Sequence, residues 1–288
     1  MLVLEGAAEL SVRVIDLASE FLVAVLGAHN RREGWTGYER AHPDVFEVYF
    51  QNPFWGKRSN LDEALGRLGA AEPQIRRLAA VAPAEVLGVG ASVSALLDAS
   101  DVEVQCIVFV GLFGANGFQD LMGGMPTLFL ALERIPDTIA LDLLIVHEVT
   151  HAFHSALRSG TWDDNEPLQA VFSEGLAVHV SQLAVSGLPL EEYLWMRSPL
   201  TIAPSHYEPA FRDGVQELLS GSTRRDYQRF FNYDPARPLA ALPPRFGYYA
   251  GKRVLDEISS QYSVRSMARW SEIEAVAATR NALRGLLT

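Results

Sequence analysis

The chain has 288 residues, 49% of them hydrophobic, enough to bury one large core or two moderate ones. Its 24 Lys and Arg against 35 Asp and Glu leave a net charge of -11, which argues against nucleic acid or an anionic membrane as a partner, since both require a basic face. The single cysteine, Cys106, rules out an intrachain disulfide, and within Val104-Gln105-Cys106-Ile107-Val108 it reads as a core thiol rather than a reactive one.

No uninterrupted apolar run approaches the roughly 18 residues of a membrane span. Met1-Leu2-Val3-Leu4-Glu5-Gly6 lacks the basic start and long apolar run of a secretory signal, so a cytoplasmic location is expected. Residues 7–28 carry apolar side chains at three- and four-residue spacing and end at Gly27, which predicts an amphipathic core helix. A basic-aromatic turn follows at Asn30-Arg31-Arg32-Glu33-Gly34-Trp35, then a helix through Pro43 to Phe50 that Asn52-Pro53-Phe54-Trp55-Gly56 breaks. Two more helices are predicted over Leu61–Leu68 and Pro73–Leu97, the second with a break near Pro83. Residues 1–100 thus read as a helical N-terminal region.

At Val102 the periodicity changes. Val102 to Val110 is rich in β-branched residues and ends as an apolar run, which predicts a central strand. Gly111, Gly114, Gly117, Gly123 and Gly124 punctuate what reads as a mobile loop, and Thr127 to Glu133 reads as a second strand closed by Pro136. A helix is predicted from an N-cap at Asp137 or Thr138 to the neighbourhood of Gly160.

That helix contains Leu144-Ile145-Val146-His147-Glu148-Val149-Thr150-His151-Ala152-Phe153, an H-E-x-x-H pattern. Two histidines four residues apart on a helix differ by about 40° in azimuth and about 6 Å in height, so His147 and His151 can close on one metal ion. Glu148 stands on the shoulder of the stripe, where its carboxylate reaches a water on the metal without being a ligand, as the general base of a zinc hydrolase must. Twenty-two residues separate His151 from Glu174 in Ser173-Glu174-Gly175, about the length of a helix out, a turn and a helix back. Gly175 beside the acid lets the second helix approach the first closely. His147, His151 and Glu174 are therefore the expected ligands, leaving the open fourth position of a catalytic zinc.

Other polar residues of these helices are placed elsewhere. His154 continues the stripe one turn past His151 and is expected to stand behind the ligands or to line the cleft, whereas Asp142 lies about 140° away and His179 turns away from Glu174. Arg158 either touches substrate or is a solvated cation near the helix C-terminus. Asp120, Glu133 and Arg245 fall in segments that can border the cleft. Beyond Pro189 the chain reads as helices broken by Pro204, Pro235, Pro238 and Pro243-Pro244, with a short aromatic loop, Pro244-Arg245-Phe246-Gly247-Tyr248-Tyr249, opening one of them. A tyrosine hydroxyl there suits the oxyanion that develops in peptide hydrolysis.

His147-Glu148-Val149-Thr150-His151, Ser173-Glu174-Gly175-Leu176-Ala177 and Gly247-Tyr248-Tyr249-Ala250-Gly251 together resemble the gluzincin peptidases, the group of thermolysin and the alanyl-type aminopeptidases. The likeness is greatest to an uncharacterised bacterial family of predicted zinc-dependent proteases within that group. It covers about residues 100–260. It implies an α+β, mainly helical, zincin-like fold: a small mixed sheet packed on the HExxH helix, helical N- and C-terminal parts, and a metalloprotease domain over residues 101–288. The resemblance implies Zn2+ on His147, His151 and Glu174, Glu148 as the base that polarises water, and Tyr248 as donor to the oxyanion, with Tyr249 as rival. In such enzymes the strand before the helix forms the sheet edge and binds an extended substrate. Two departures stand out. The acid that thermolysin carries four residues past its ligand Glu is Val178 here, so the group that supports a zinc histidine is open, with Asp163 and Asp164 of the connecting loop as candidates. The G-x-M-E-N acid of the aminopeptidases is replaced in Gly123-Gly124-Met125-Pro126-Thr127, which favours an endopeptidase acting on a peptide or protein. Two alternatives are a zinc-containing peptide-binding module without turnover and a hydrolase of non-peptide amides.

Overall fold

The computed structural model of the chain describes residues 12–51, 57–197, 202–231 and 242–288. The chain is mainly helical, with one mixed sheet of four strands. Its contacts divide it into two compact units, Met1–Ala95 with Ala99–Ala152, and Leu96–Asp98 with Phe153–Thr288.

The first unit holds the sheet. Strand β1 (Val12–Asp16) runs parallel to β2 (Val104–Phe109), β2 runs parallel to β4 (Met125–Ala131), and β3 (Gly117–Met122) closes the order β1-β2-β4-β3 as an antiparallel edge. Residues 12–16 correct the helix expected over 7–28, of which residues 7–11 lie outside the described residues. Val12, Val14 and Ile15 are β-branched, and pairing Val12 with Val104 outweighs the helical spacing of their neighbours. Only a short helix α1 (Ala18–Phe21) and a π-helical turn over Leu22–Leu26 follow.

The stretch between β2 and β4, expected as a mobile loop, contains an ordered strand and a braced turn. β3 and β4 form a hairpin whose two-residue turn, Gly123 (φ 61°) and Gly124 (φ 82°), places both residues in the left-handed region that the twist of a tight hairpin demands. β4 is consequently an interior strand, and the edge expected of it belongs to β3.

Helix α2 (Arg31–Ala41) replaces the expected turn, because the Asn30 side chain caps it by accepting from the N–H groups of Arg32 and Glu33. α3 (Pro43–Gln51) follows as expected, and its breaker at residues 52–56 lies outside the described residues. α4 (Leu61–Leu97) is one 37-residue helix rather than two. Pro73 is exposed and Pro83 half-buried, and each leaves the carbonyl four residues before it, Gly69 and Ala79, without its helical donor. Ile75, Leu78, Ala82, Val86 and Val93 form its buried stripe. By length and composition Arg58–Leu97 is apolar enough to cross a membrane, and 33% of its most apolar window is buried. Pro83, Gly88, Gly90 and Ser92 interrupt that window, so no continuous run marks it in the sequence.

Helix α5 (Thr138–Leu157) begins where Asp137 accepts a hydrogen bond from the N–H of Ala140. Leu144 of α5 packs at Gly117 of β3, where an added Cβ would stand 3.1 Å from the leucine methyls. The edge strand and the H-E-x-x-H helix are therefore neighbours.

The second unit is helical. α6 (Pro167–Ala184), capped by Glu166, carries Glu174; α7 (Leu190–Trp195), α8 (Glu208–Leu219), α9 (Tyr227–Phe231), α10 (Phe246–Ser259), α11 (Val264–Met267) and α12 (Glu272–Gly285) follow. Pro204 and Pro243-Pro244 precede helices as expected, while Pro235 and Pro238 lie outside the described residues.

Candidate metal centre

Apolar side chains bury α5 on nearly every side. Leu141, Leu143, Leu144, Ile145, Val146, Val149 and Ala152 are at most 1% exposed, and Thr150 turns its hydroxyl back to the Val146 carbonyl at 2.7 Å. Against this background Glu148 and His151 stay half-buried and share one side of the helix, while His147 is buried. The two imidazoles stand edge to face, with ring centroids 4.7 Å apart and Nε2 atoms 3.1 Å apart.

That separation decides what the pair can do. Two neutral imidazole lone pairs facing each other at 3.1 Å repel unless a proton or a cation lies between them. Tetrahedral zinc with nitrogen ligands near 2.0–2.1 Å would space two of them about 3.3 Å apart. Glu174 supplies the third donor: one ligand atom from each of His147, His151 and Glu174 lies within 4.8 Å of the others. Two imidazoles and a carboxylate, one buried and two half-buried, form a site that can hold a divalent metal ion.

Glu174 owes its position to an unusually close crossing of α6 with α10. A Cβ at Gly175 would lie 2.4 Å from the Gly251 carbonyl oxygen, and one at Gly251 would lie 2.4 Å from that of Val171. Gly175 was expected to admit α5; the helix it admits is α10. Tyr248 stands one turn before Gly251, at the start of α10, half-buried. Its rival Tyr249 is 3% exposed, stacked on Tyr207 at 4.8 Å, with its hydroxyl bonded to Glu208 and 3.1 Å from the Arg253 guanidinium. Burial first, then the Glu208 carboxylate, holds the Tyr249 phenol above its ordinary pKa.

Several other residues singled out in the sequence have contacts of their own. His154 is fully buried, edge-on to Trp162 at 4.9 Å and beside Phe172. Arg158 pairs with Asp164 at 2.5 and 2.9 Å and lies over Trp162 rather than in solvent. Asp163 accepts from the Asn165 N–H and faces Arg224 at 3.5 Å. His179 is pushed below its ordinary pKa by burial and then by Lys252. Asp120 accepts from the N–H of Leu121 within the edge strand. Burial raises the Cys106 thiol far above its usual range, in keeping with an inert core residue.

Glu133 has a structural task that spacing did not reveal. Its buried carboxylate accepts the N–H groups of Gly111 and Phe113, each at 3.0 Å, while Tyr49 Oη takes that of Leu112 at 2.9 Å. Three successive amides of the β2–β3 turn are thereby satisfied. Burial, which outweighs these hydrogen bonds, raises the Glu133 pKa. A lone acid closing an apolar strand is the only signal the sequence carries for it.

Comparison of the chain with family models, with curated proteins and with solved structures returns no match.

Proposed function

We propose that the chain is a zinc-dependent metallopeptidase of the gluzincin type, cleaving internal bonds of a peptide or protein substrate. The observation that carries this reading is the meeting of His147, His151 and Glu174 within 4.8 Å, with Glu148 next to the first of them and outside the ligand set. The mixed sheet, with its antiparallel edge strand β3 against α5, supports a zincin-like architecture. Pro126, in place of the acid that aminopeptidases use, supports an endopeptidase.

Zinc held by these residues supplies Lewis acidity, which polarises a carbonyl and makes water nucleophilic near neutral pH. Glu148 takes the proton of the attacking water and returns it to the leaving amine. Tyr248 donates to the carbonyl oxygen as it gains negative charge. The hydroxyl of its neighbour Tyr249 is bound to Glu208 and Arg253, which supports giving the role to Tyr248.

Glu148→Gln keeps the shape of the side chain and removes the base. It is expected to retain metal while losing hydrolysis of labelled casein by roughly 10²–10⁴-fold. Turnover at the wild-type rate would take Glu148 out of the mechanism. Retained peptide binding with no turnover by the wild-type protein would favour a binding module instead.

A further inference from the structure

Tyr248 does not stand alone at the head of α10. Arg245, three residues earlier, has a left-handed backbone (φ 58°, ψ 26°) and offers its carbonyl to the N–H groups of Tyr248 and Tyr249 at 3.1 and 3.3 Å. Its guanidinium lies 4.8 Å from the centroid of the Tyr248 ring and 5.2 Å from that of Trp195, and it donates to the Leu194 carbonyl at 2.6 Å. Trp195 is fixed in turn: its indole N–H donates to Tyr207 Oη at 3.1 Å, and that hydroxyl donates to the Pro244 carbonyl at 3.0 Å, next to Arg245. The contacts form a closed ring from Trp195 through Tyr207 and Pro244 to Arg245 and back.

Two further observations separate this arginine from ordinary core packing. Arg158 and Arg253, also half-buried, each hold a carboxylate, Asp164 and Glu208. Among the described residues no carboxylate lies within ion-pair distance of Arg245, and its buried Nε has no hydrogen-bond partner. A cation in that state costs free energy that a nearby anion can recover. Strain gathers at the same place. Of the five non-glycine residues with positive φ among the described residues, three are Met196, Arg197 and Arg245, on the two segments that meet around this side chain. Left-handed backbone is unfavourable for an L-residue, and it persists where the surroundings enforce it.

We propose that Arg245 is a positioning residue for the oxyanion donor: it clamps the Tyr248 ring from one face and keeps beside it a positive charge that no carboxylate among the described residues pairs. The inference rests on the reading of Tyr248 given above. A charge with no carboxylate partner among the described residues is stabilised when the carbonyl oxygen at Tyr248 becomes anionic, so Arg245 acts in the transition state more than on bound substrate.

The test is a double-mutant cycle in the full-length, zinc-loaded chain: wild type, Tyr248→Phe, Arg245→Gln and the double variant. Turnover of labelled casein gives kcat and KM, and calorimetric binding of an N-blocked phosphinic tripeptide, a stable tetrahedral anion, gives a readout free of catalysis. Arg245→Gln is expected to lower kcat and phosphinate affinity roughly 10-fold with KM within about two-fold, and to have no further effect once Tyr248 is Phe. Equal losses in both backgrounds would overturn the proposal and leave Tyr248 in place. A fully active Tyr248→Phe variant would overturn the reading of Tyr248 and the proposal together, as would a wild-type protein that neither cleaves casein nor binds the phosphinate. Arg245→Lys repeats the cycle with the charge kept. If circular dichroism shows both Arg245 variants unfolded, the side chain is structural and the proposal is lost.

Discussion

Helices α5 and α10 place their candidate side chains by opposite means. α5 is apolar nearly all round, so its half-buried polar residues, Glu148 and His151, show at once which side is open. α10 is amphipathic, opens on a strained arginine and is held to α6 through Gly251 and Gly175, with Arg245 tied to Trp195, fifty residues away in the chain. Chemistry written at i and i+4 on one helix is local. Chemistry that depends on where a ring is clamped is spread over the chain.

The contrast can be sharpened first at the two tyrosines. Tyr248→Phe is expected to lower kcat by about 10²-fold, the scale of one lost oxyanion donor, while Tyr249→Phe leaves kcat near wild type and lowers the melting temperature. Equal kinetic losses would mean that the hydrogen bonds of Tyr249 do not keep it from the reaction. Next in size is the helix crossing. Gly251→Ala places a methyl 2.4 Å from a backbone oxygen that cannot give way, so the second unit is expected to lose about 1–3 kcal/mol in denaturant unfolding. Unchanged stability would show that the two helices tolerate a wider spacing.

The smallest effect lies on the far side of α5. Asp142 is raised from 3.8 to about 6, first by burial and then by Glu85 and Asp137. A raised folded-state pKa means that the folded protein binds this proton more tightly than the unfolded chain. The resulting stability is complete below about pH 4 and is lost as pH rises through about 6. With its other side in solvent, Asp142 contributes only roughly 1 kcal/mol after screening. Asp142→Asn should therefore gain about that much at pH 7.5 relative to wild type and nothing at pH 4. A variant whose advantage is the same at both pH values would contradict the assignment.

Local signals account for what the sequence disclosed. The ends of α5 were legible because Asp137 and Gly160 are helix punctuation, and the histidine pair because its spacing repeats on one face. β1 was hidden because five residues of strand carry little periodicity and their partner lies some ninety residues on. β3 was hidden because Gly117, Gln119 and Asp120 suit an exposed edge and read as loop. α2 was missed at its cap, where Asn30 and Gly34 resemble a turn until Asn30 is seen accepting from the following amides. Glu133 and Arg245 were noticed in the sequence, but their tasks depend on partners brought from Tyr49 and Trp195, which no spacing along the chain announces.

Metal analysis of the purified protein tests the central claim most directly. One zinc per chain is expected in the wild type and in Glu148→Gln, and close to none in His147→Ala or Glu174→Ala. Full zinc in Glu174→Ala, or no metal in the wild type under zinc-replete conditions, would contradict the three-residue centre.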